Sequence, residues 1–160
     1  MNSLNLLSFN IPTFDFTSKS IVPMEIDTPR PPKPKINLDY QGVAKLFMET
    51  FCPAFNQGMD RTNPLYDPLV QMTLKIGFAT QHEFLGYQQF INLLTGYGIW
   101  NILLSDINYS SQPLGKSSIL IQSHGNIKAN YQHEAKFTMS VVLKKTLTGF
   151  SIGQEIFHLH

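Results

Sequence analysis

Ser118-Ile119-Leu120-Ile121-Gln122-Ser123-His124-Gly125-Asn126-Ile127-Lys128, then Lys136-Phe137-Thr138-Met139-Ser140-Val141-Val142-Leu143, then Phe150-Ser151-Ile152-Gly153-Gln154-Glu155-Ile156-Phe157-His158 are three alternating runs in the last third of the chain. Period-two alternation over such lengths predicts β-strands. Short polar breaks join them, which predicts an antiparallel meander with one buried face. The helical signals all lie upstream. Helices first and a meander last give an α+β class, with helices packed on one side of a curved sheet.

Working outward, the 160 residues suffice for one domain with a substantial core, and 12 of them are Phe. Charged residues make up 14% of the chain, against a usual value of about 25%. A surface so poor in charge suits either partner contact or solubility through Asn, Gln, Ser and Thr. The net charge of +1 supplies no basic field for direct nucleic-acid binding. Cys52 is the one cysteine, so neither an internal disulfide nor a metal-binding spacing is expected. The apolar first ten residues lack a preceding basic region and run into Pro12 and Asp15, which reads as neither a secretory signal nor a membrane span.

A boundary is expected near residue 36, dividing a flexible tail (1–36) from a folded domain (37–160). The tail holds Pro12, Pro23, Pro29, Pro31, Pro32 and Pro34. Thr28 to Lys35 reads as extended, polyproline-like chain containing Pro29-x-x-Pro32. Its basic residues suit a nuclear localisation signal or a plain solvated linker. Leu6 to Phe16 is too apolar for an inert tail and reads as a segment that docks on its own domain or on a partner.

The domain begins with a helix capped by Asn37 or Asp39, its apolar face formed by Val43, Leu46, Phe47 and Phe51, and its end or kink set by Pro53. Asn63-Pro64 reads as a second start signal. A first strand is expected over Val70 to Phe78, with Ala79 to Glu83 as a polar turn. A helix over Tyr87 to Leu94 turns Phe90, Ile91 and Leu94 inward, with Gly96 just beyond its end. Ile99 to Ile107 is another strand candidate.

This order of features resembles the nuclear transport factor 2 family. The resemblance is carried by Leu65-Tyr66 after the first helix, by Phe84-Leu85-Gly86 at the end of a hairpin, and by the short helix Tyr87 to Leu94. It continues through the Asp-containing strand Leu104-Ser105-Asp106, the strand Ile119 to Gly125, the Phe-led strand from Phe137, and the closing Ile156-Phe157-His158-Leu159. It covers roughly residues 40–160. It implies a cone: a strongly curved, antiparallel, cystatin-like sheet with N-terminal helices closing its mouth. It also implies dimerisation through the sheet, with Phe137, Met139, Val141 and Leu143 of one strand and Ile152, Ile156 and Phe157 of the next as interface. Tyr66, Trp100, Asp106 and His124 are candidates for the cavity mouth.

Proteins similar to this include a homodimeric Ran-GDP import carrier and a small export cofactor that pairs with a matching domain of the mRNA export receptor. Nuclear-pore Phe-Gly repeats are a further partner class the resemblance implies. The Ran carrier places acids where this chain has Ile76 (or Thr80 in a shifted alignment), Asn130 and Gln132. Missing partners for Ran's basic side chains disfavour import. The expectation is therefore a non-catalytic transport scaffold without a cofactor, in nucleus and cytoplasm and at the nuclear pore, paired with an mRNA export receptor or with itself.

Enzymes of the wider superfamily place an Asp with a His or a Tyr inside the cone for proton transfer. Asp106 and His124 are the candidates here. The plainer readings are a strand-end Asp bonded to backbone amides and a half-buried histidine. His133-Glu134 reads as a solvated turn, and the terminal His158-x-His160 as a weak metal pair at most.

Overall fold

In a computed structural model, which describes residues 39–160, Asp39 starts the first helix by accepting a 2.9 Å hydrogen bond at Oδ1 from the Gly42 N–H. The tail, the Leu6–Phe16 segment and the Asn37 cap fall outside the described residues. Helix α1 (Tyr40–Gln57) passes through Pro53 without ending there. Pro53 lies on the exposed side of the helix, where the carbonyl that a proline leaves without its helical donor costs least. The buried stripe is Ala44, Met48, Phe51 and Phe55. Of the expected stripe, Phe51 is buried, Val43 and Phe47 are partly buried against the core, and only Leu46 departs, at 66% exposed. A 3-10 segment, Met59–Leu65, follows and carries Pro64 near its end rather than at its start.

Six strands form one sheet: β1 (Tyr66–Ile76), β2 (Thr80–Leu85), β3 (Ile102–Leu114), β4 (Ser118–Ala129), β5 (His133–Lys145) and β6 (Phe150–Leu159), with α2 (Tyr87–Gly96) between β2 and β3. Their order is β2-β1-β6-β5-β4-β3. The predicted three-strand meander is β4 to β6, and the separate candidate Ile99–Ile107 becomes part of β3, which extends the meander by one strand. The sheet is mixed, because β6 returns alongside β1 in parallel, and every other neighbouring pair is antiparallel. The polar stretch read as a turn is strand β2, whose residues from Thr80 to Leu85 pair with β1. His133 and Glu134 likewise belong to β5.

Both helices cover one face of the sheet, and aromatic rings fill the space between. Phe47, Phe51 and Phe55 stack along α1; Phe55, Phe90 and Phe137 each approach Phe157 at ring-centroid distances of 6.3, 5.8 and 5.7 Å. Each buried ring contributes on the order of 2–3 kcal/mol through removed apolar surface.

Bulges bend the sheet and reset its side-chain parity. In β3 the register jumps between Ser105 and Asn108, and Asp106 takes a left-handed backbone (φ 51°). Gly125 lies across from this bulge. A Cβ on it would come within 2.6 Å of the Ser105 carbonyl oxygen, so the close approach requires glycine. In β6 the jump leaves Gly153 unpaired: Leu143 faces Ile152, while Val142 faces Gln154. Ile152 therefore points inward, and after the extra residue Glu155 and Phe157 point inward while Ile156 points out.

Candidate functional site

The face of the sheet away from the helices is the candidate partner surface. Cross-strand pairing builds a row from Ser110 through Gln122, Ser140 and Ile156 to Thr73, and a second from Gln112 through Leu120, Val142 and Gln154 to Gln71. Gln154 Nε2 donates to Gln71 Oε1 at 3.0 Å, fixing the second row. A third row joins Asn108, His124, Thr138 and His158. The third row continues to Lys75 on β1 and the first to Glu83 on β2, and none of the other side chains in the three rows is Lys, Arg, Asp or Glu. Lys136 and Lys144 bracket the block on β5, opposite in parity to Phe137, Met139, Val141 and Leu143 as the alternation predicts. Ile156 stands near the centre of the face and is 48% exposed. Beside it, a trough of about 440 Å³ crosses β3, β4 and β5, lined by Asn108, Ser110, Gln122, His124, Thr138 and Ser140 among others.

The expected interface needs correction. Phe137, Met139, Val141, Leu143, Ile152 and Phe157 are all at most 2% exposed, against the helices. Their side chains are the core and are unavailable to a partner; of the seven residues, only Ile156 lies on the outer face. An alternating strand shows which residues share a face but not which face the helices cover.

The cavity-mouth residues also separate. Asp106 and His124 are exposed on the outer side of the sheet and do not enter the interior. Asp106 Oδ2 accepts from Asn126 Nδ2 at 2.6 Å and makes no bond to His124. The His158 and His160 rings lie 3.9 Å apart, with His158 Nε2 against the Gly77 carbonyl and His160 Nε2 against Thr138 Oγ1. Among the described residues, no group of three or more His, Cys, Asp or Glu side chains is placed to hold a metal.

Tyr66 is inside, buried and stacked on Tyr87 with centroids 3.9 Å apart. The Tyr87 hydroxyl donates to the Met59 carbonyl and shares a 2.8 Å bond with Thr62 Oγ1. Beneath this pair lies Glu155, 2% exposed, with no hydrogen-bond partner at either carboxylate oxygen. Burial pushes its carboxyl up to about 7, with the neighbouring Tyr66 hydroxyl acting in the opposite direction. Burial, then the charge of Glu155, raises the Tyr66 phenol well above its ordinary range. The sequence reading passed over Glu155. Uninterrupted alternation from Ile152 puts residue 155 on the outside, and only the bulge at Gly153 turns it inward.

Trp100 lies in the loop between α2 and β3 and is 67% exposed. Asn130 ties that loop to the β4–β5 turn. Its Oδ1 accepts from the N–H groups of Trp100 (3.0 Å) and Asn101 (3.2 Å), and its Nδ2 donates to the Gly98 carbonyl (2.6 Å). A position where the resembled carrier has an acid is thus a structural tie here.

No protein-family model matches the sequence, and no curated protein matches it. Solved structures do share its architecture. Nuclear transport factor 2 from Cryptosporidium parvum superposes with a TM-score of 0.58 at 18% identity, covering 76% of this chain and 94% of that one. The yeast UBP3-associated protein BRE5 gives 0.57 at 15% identity, covering 77% and 98%. A putative scytalone dehydratase from Novosphingobium aromaticivorans gives 0.59 at 10% identity, covering 78% and 87%. The same backbone thus carries transport factors, a cofactor protein and enzymes. Residues 39–160 adopt the nuclear transport factor 2-like fold.

Proposed function

We propose that this domain is a non-catalytic binding module that pairs, through the outer face of its sheet, with a second domain of like fold. The carrying observation is the outer face itself. Its central block bears no formal charge, yet it presents Ile156, with Val142 diagonal to it on β5 and Leu120 beyond on β4. Depletion of charge around an apolar centre is the composition of interface cores. The low charge of the whole chain gains a location in this way. BRE5, solved also in complex with the deubiquitinase UBP3, supports a protein-partner role for the fold.

The partner we favour is the similar domain of an mRNA export receptor, with the complex working in nucleus and cytoplasm and at the nuclear pore. Ile76, Asn130 and Gln132 stand at the positions of the Ran carrier's acids, and Asn130 is already committed to three internal hydrogen bonds. Affinity purification from native cells tests the identity. Recovery of an mRNA export receptor with nuclear-pore proteins supports it, whereas recovery of Ran in its place reverses the assignment.

A second reading draws on Glu155. A buried, unpartnered carboxyl titrating near 7 is the kind of group that moves protons in enzymes. Against it, Phe51, Phe55, Phe90, Phe137 and Phe157 fill the interior around it. Turnover by the purified chain, lost in Glu155→Gln with the fold intact, would move the assignment to that reading.

A further inference from the structure

Ile156 and His158 are successive outward residues of β6, so a domain seated on Ile156 also covers what lies beside His158. Pairing across the sheet puts His124, Thr138, His158 and Lys75 in one row, on β4, β5, β6 and β1. The next row carries Asn126 and Lys136, and the His160 N–H donates to the Lys136 carbonyl at 2.9 Å. The His160 ring lies 3.9 Å from that of His158. Lys75, Lys136 and the histidines 124, 158 and 160 therefore share one end of the outer face. A hollow of about 290 Å³ takes Lys75 and His158 into its lining, and the larger trough takes His124 and Thr138.

The acids nearby are already engaged. Asp106 accepts from Asn126 at 2.6 Å, Glu83 accepts from Gln81 at 2.8 Å, and Glu134 pairs with Lys128 at 3.4 Å. Lys75 and Lys136 have no ion-pair partner among the described residues. In water such lysines are well solvated. Under a seated domain each loses hydration and needs an anion in return. A second copy of this chain brings the same two lysines and the same engaged acids, so self-pairing leaves the lysines unmatched. A nucleic-acid backbone fits poorly as well. The row from His124 to Lys75 spans three strand spacings, about 14 Å. Asp106 on β3 and Glu83 on β2 flank it, and the whole chain carries a net charge of only +1. Given pairing through the outer face, on which this rests, we propose that the seated domain belongs to a different chain and presents Asp or Glu side chains to Lys75 and Lys136. The His158 and His160 rings stand beside that contact, and the charge match excludes a second copy.

Zero-length carbodiimide cross-linking tests this, because the reagent joins an amine to a carboxylate only where the two touch. The tagged full-length chain is captured from native extract, cross-linked and digested, and the joined peptides are identified by mass spectrometry. The expected products link Lys75 or Lys136 to an Asp or Glu in a like-fold domain of another protein. Lys75→Glu combined with Lys136→Glu, folded as judged by its melting temperature, should recover that partner at least about tenfold less well. Folded Ile156→Asp should lose it too. Links from these lysines to a second copy of this chain would overturn the proposal. So would undiminished recovery by the double variant while Ile156→Asp loses the partner, an outcome that leaves pairing through the outer face intact. Ile156→Asp that keeps the partner would overturn the pairing itself and the proposal with it. Loss of the complex on nuclease treatment would overturn the proposal in favour of nucleic acid.

Discussion

Ile156 and Phe157 are chain neighbours on β6, yet Ile156 keeps 48% of its surface in solvent and Phe157 keeps none. One faces the outer surface of the sheet, and the other lies at the centre of the ring cluster formed with Phe55, Phe90 and Phe137. Together they divide the two functions of this strand, holding the core and offering a surface.

Substitutions on the two faces should separate stability from association. Ile156→Asp removes an exposed side chain, so its stability change should stay within about 0.5–1 kcal/mol. Phe157→Ala should cost about 3–5 kcal/mol through the cavity it leaves. Val141→Asp puts a charge at a fully buried position and should prevent folding. Urea titrations of the three proteins check this. Similar losses for Ile156→Asp and Phe157→Ala would mean the outer face is packed against something within the chain.

Stability should fall as pH rises across the Glu155 titration. Its carboxyl goes from an ordinary 4.5 to about 7 on folding. Between those values the folded state binds the extra proton, so acid favours folding, and the benefit is lost as pH rises to about 7. The full effect is on the order of 3 kcal/mol. Glu155→Gln should melt higher than the natural protein at pH 8 and nearly level with it at pH 4.5. A natural protein whose denaturation midpoint does not move between these pH values would exclude an uncompensated buried carboxyl.

Gly125→Ala should disturb the β3 bulge. The added Cβ would meet the Ser105 carbonyl oxygen at 2.6 Å, the Asp106 carbonyl oxygen at 3.1 Å and the Phe137 ring at 3.1 Å. Two of the three contacts are backbone, which gives way least. We expect a loss of about 1–3 kcal/mol, with chemical-shift changes concentrated in residues 104–108. A variant as stable as the natural protein would show that the bulge relaxes freely.

The last three strands are legible in the sequence to within a few residues, because alternation of Ile, Val, Phe and Met with Ser, Thr and Gln is a strong local signal. The order of helices and strands is legible for the same reason. Three things escaped it. The covered face of the sheet depends on where α1 and α2 pack, so Phe137 to Leu143 reads equally well as interface or core. The bulge at Gly153 inverts the parity of Glu155, Ile156 and Phe157, and the alternation carries no sign of it. Asp106 and His124 do occupy neighbouring strands as expected, but the bulge and strand parity leave both on the outside. Strand β2 is legible only at its end, where the resemblance closes a hairpin at Phe84-Leu85-Gly86; its polar residues suit an edge strand that faces water.

The measurement that tests the central claim most directly is sedimentation of the tagged protein and of Ile156→Asp in native extract, with the bound partner identified by mass spectrometry. The account predicts that the natural protein travels in a complex with a second domain of like fold, in an mRNA export receptor, and that folded Ile156→Asp travels alone. A folded Ile156→Asp that keeps the same complex, or a natural protein that travels alone, would contradict pairing through the outer face.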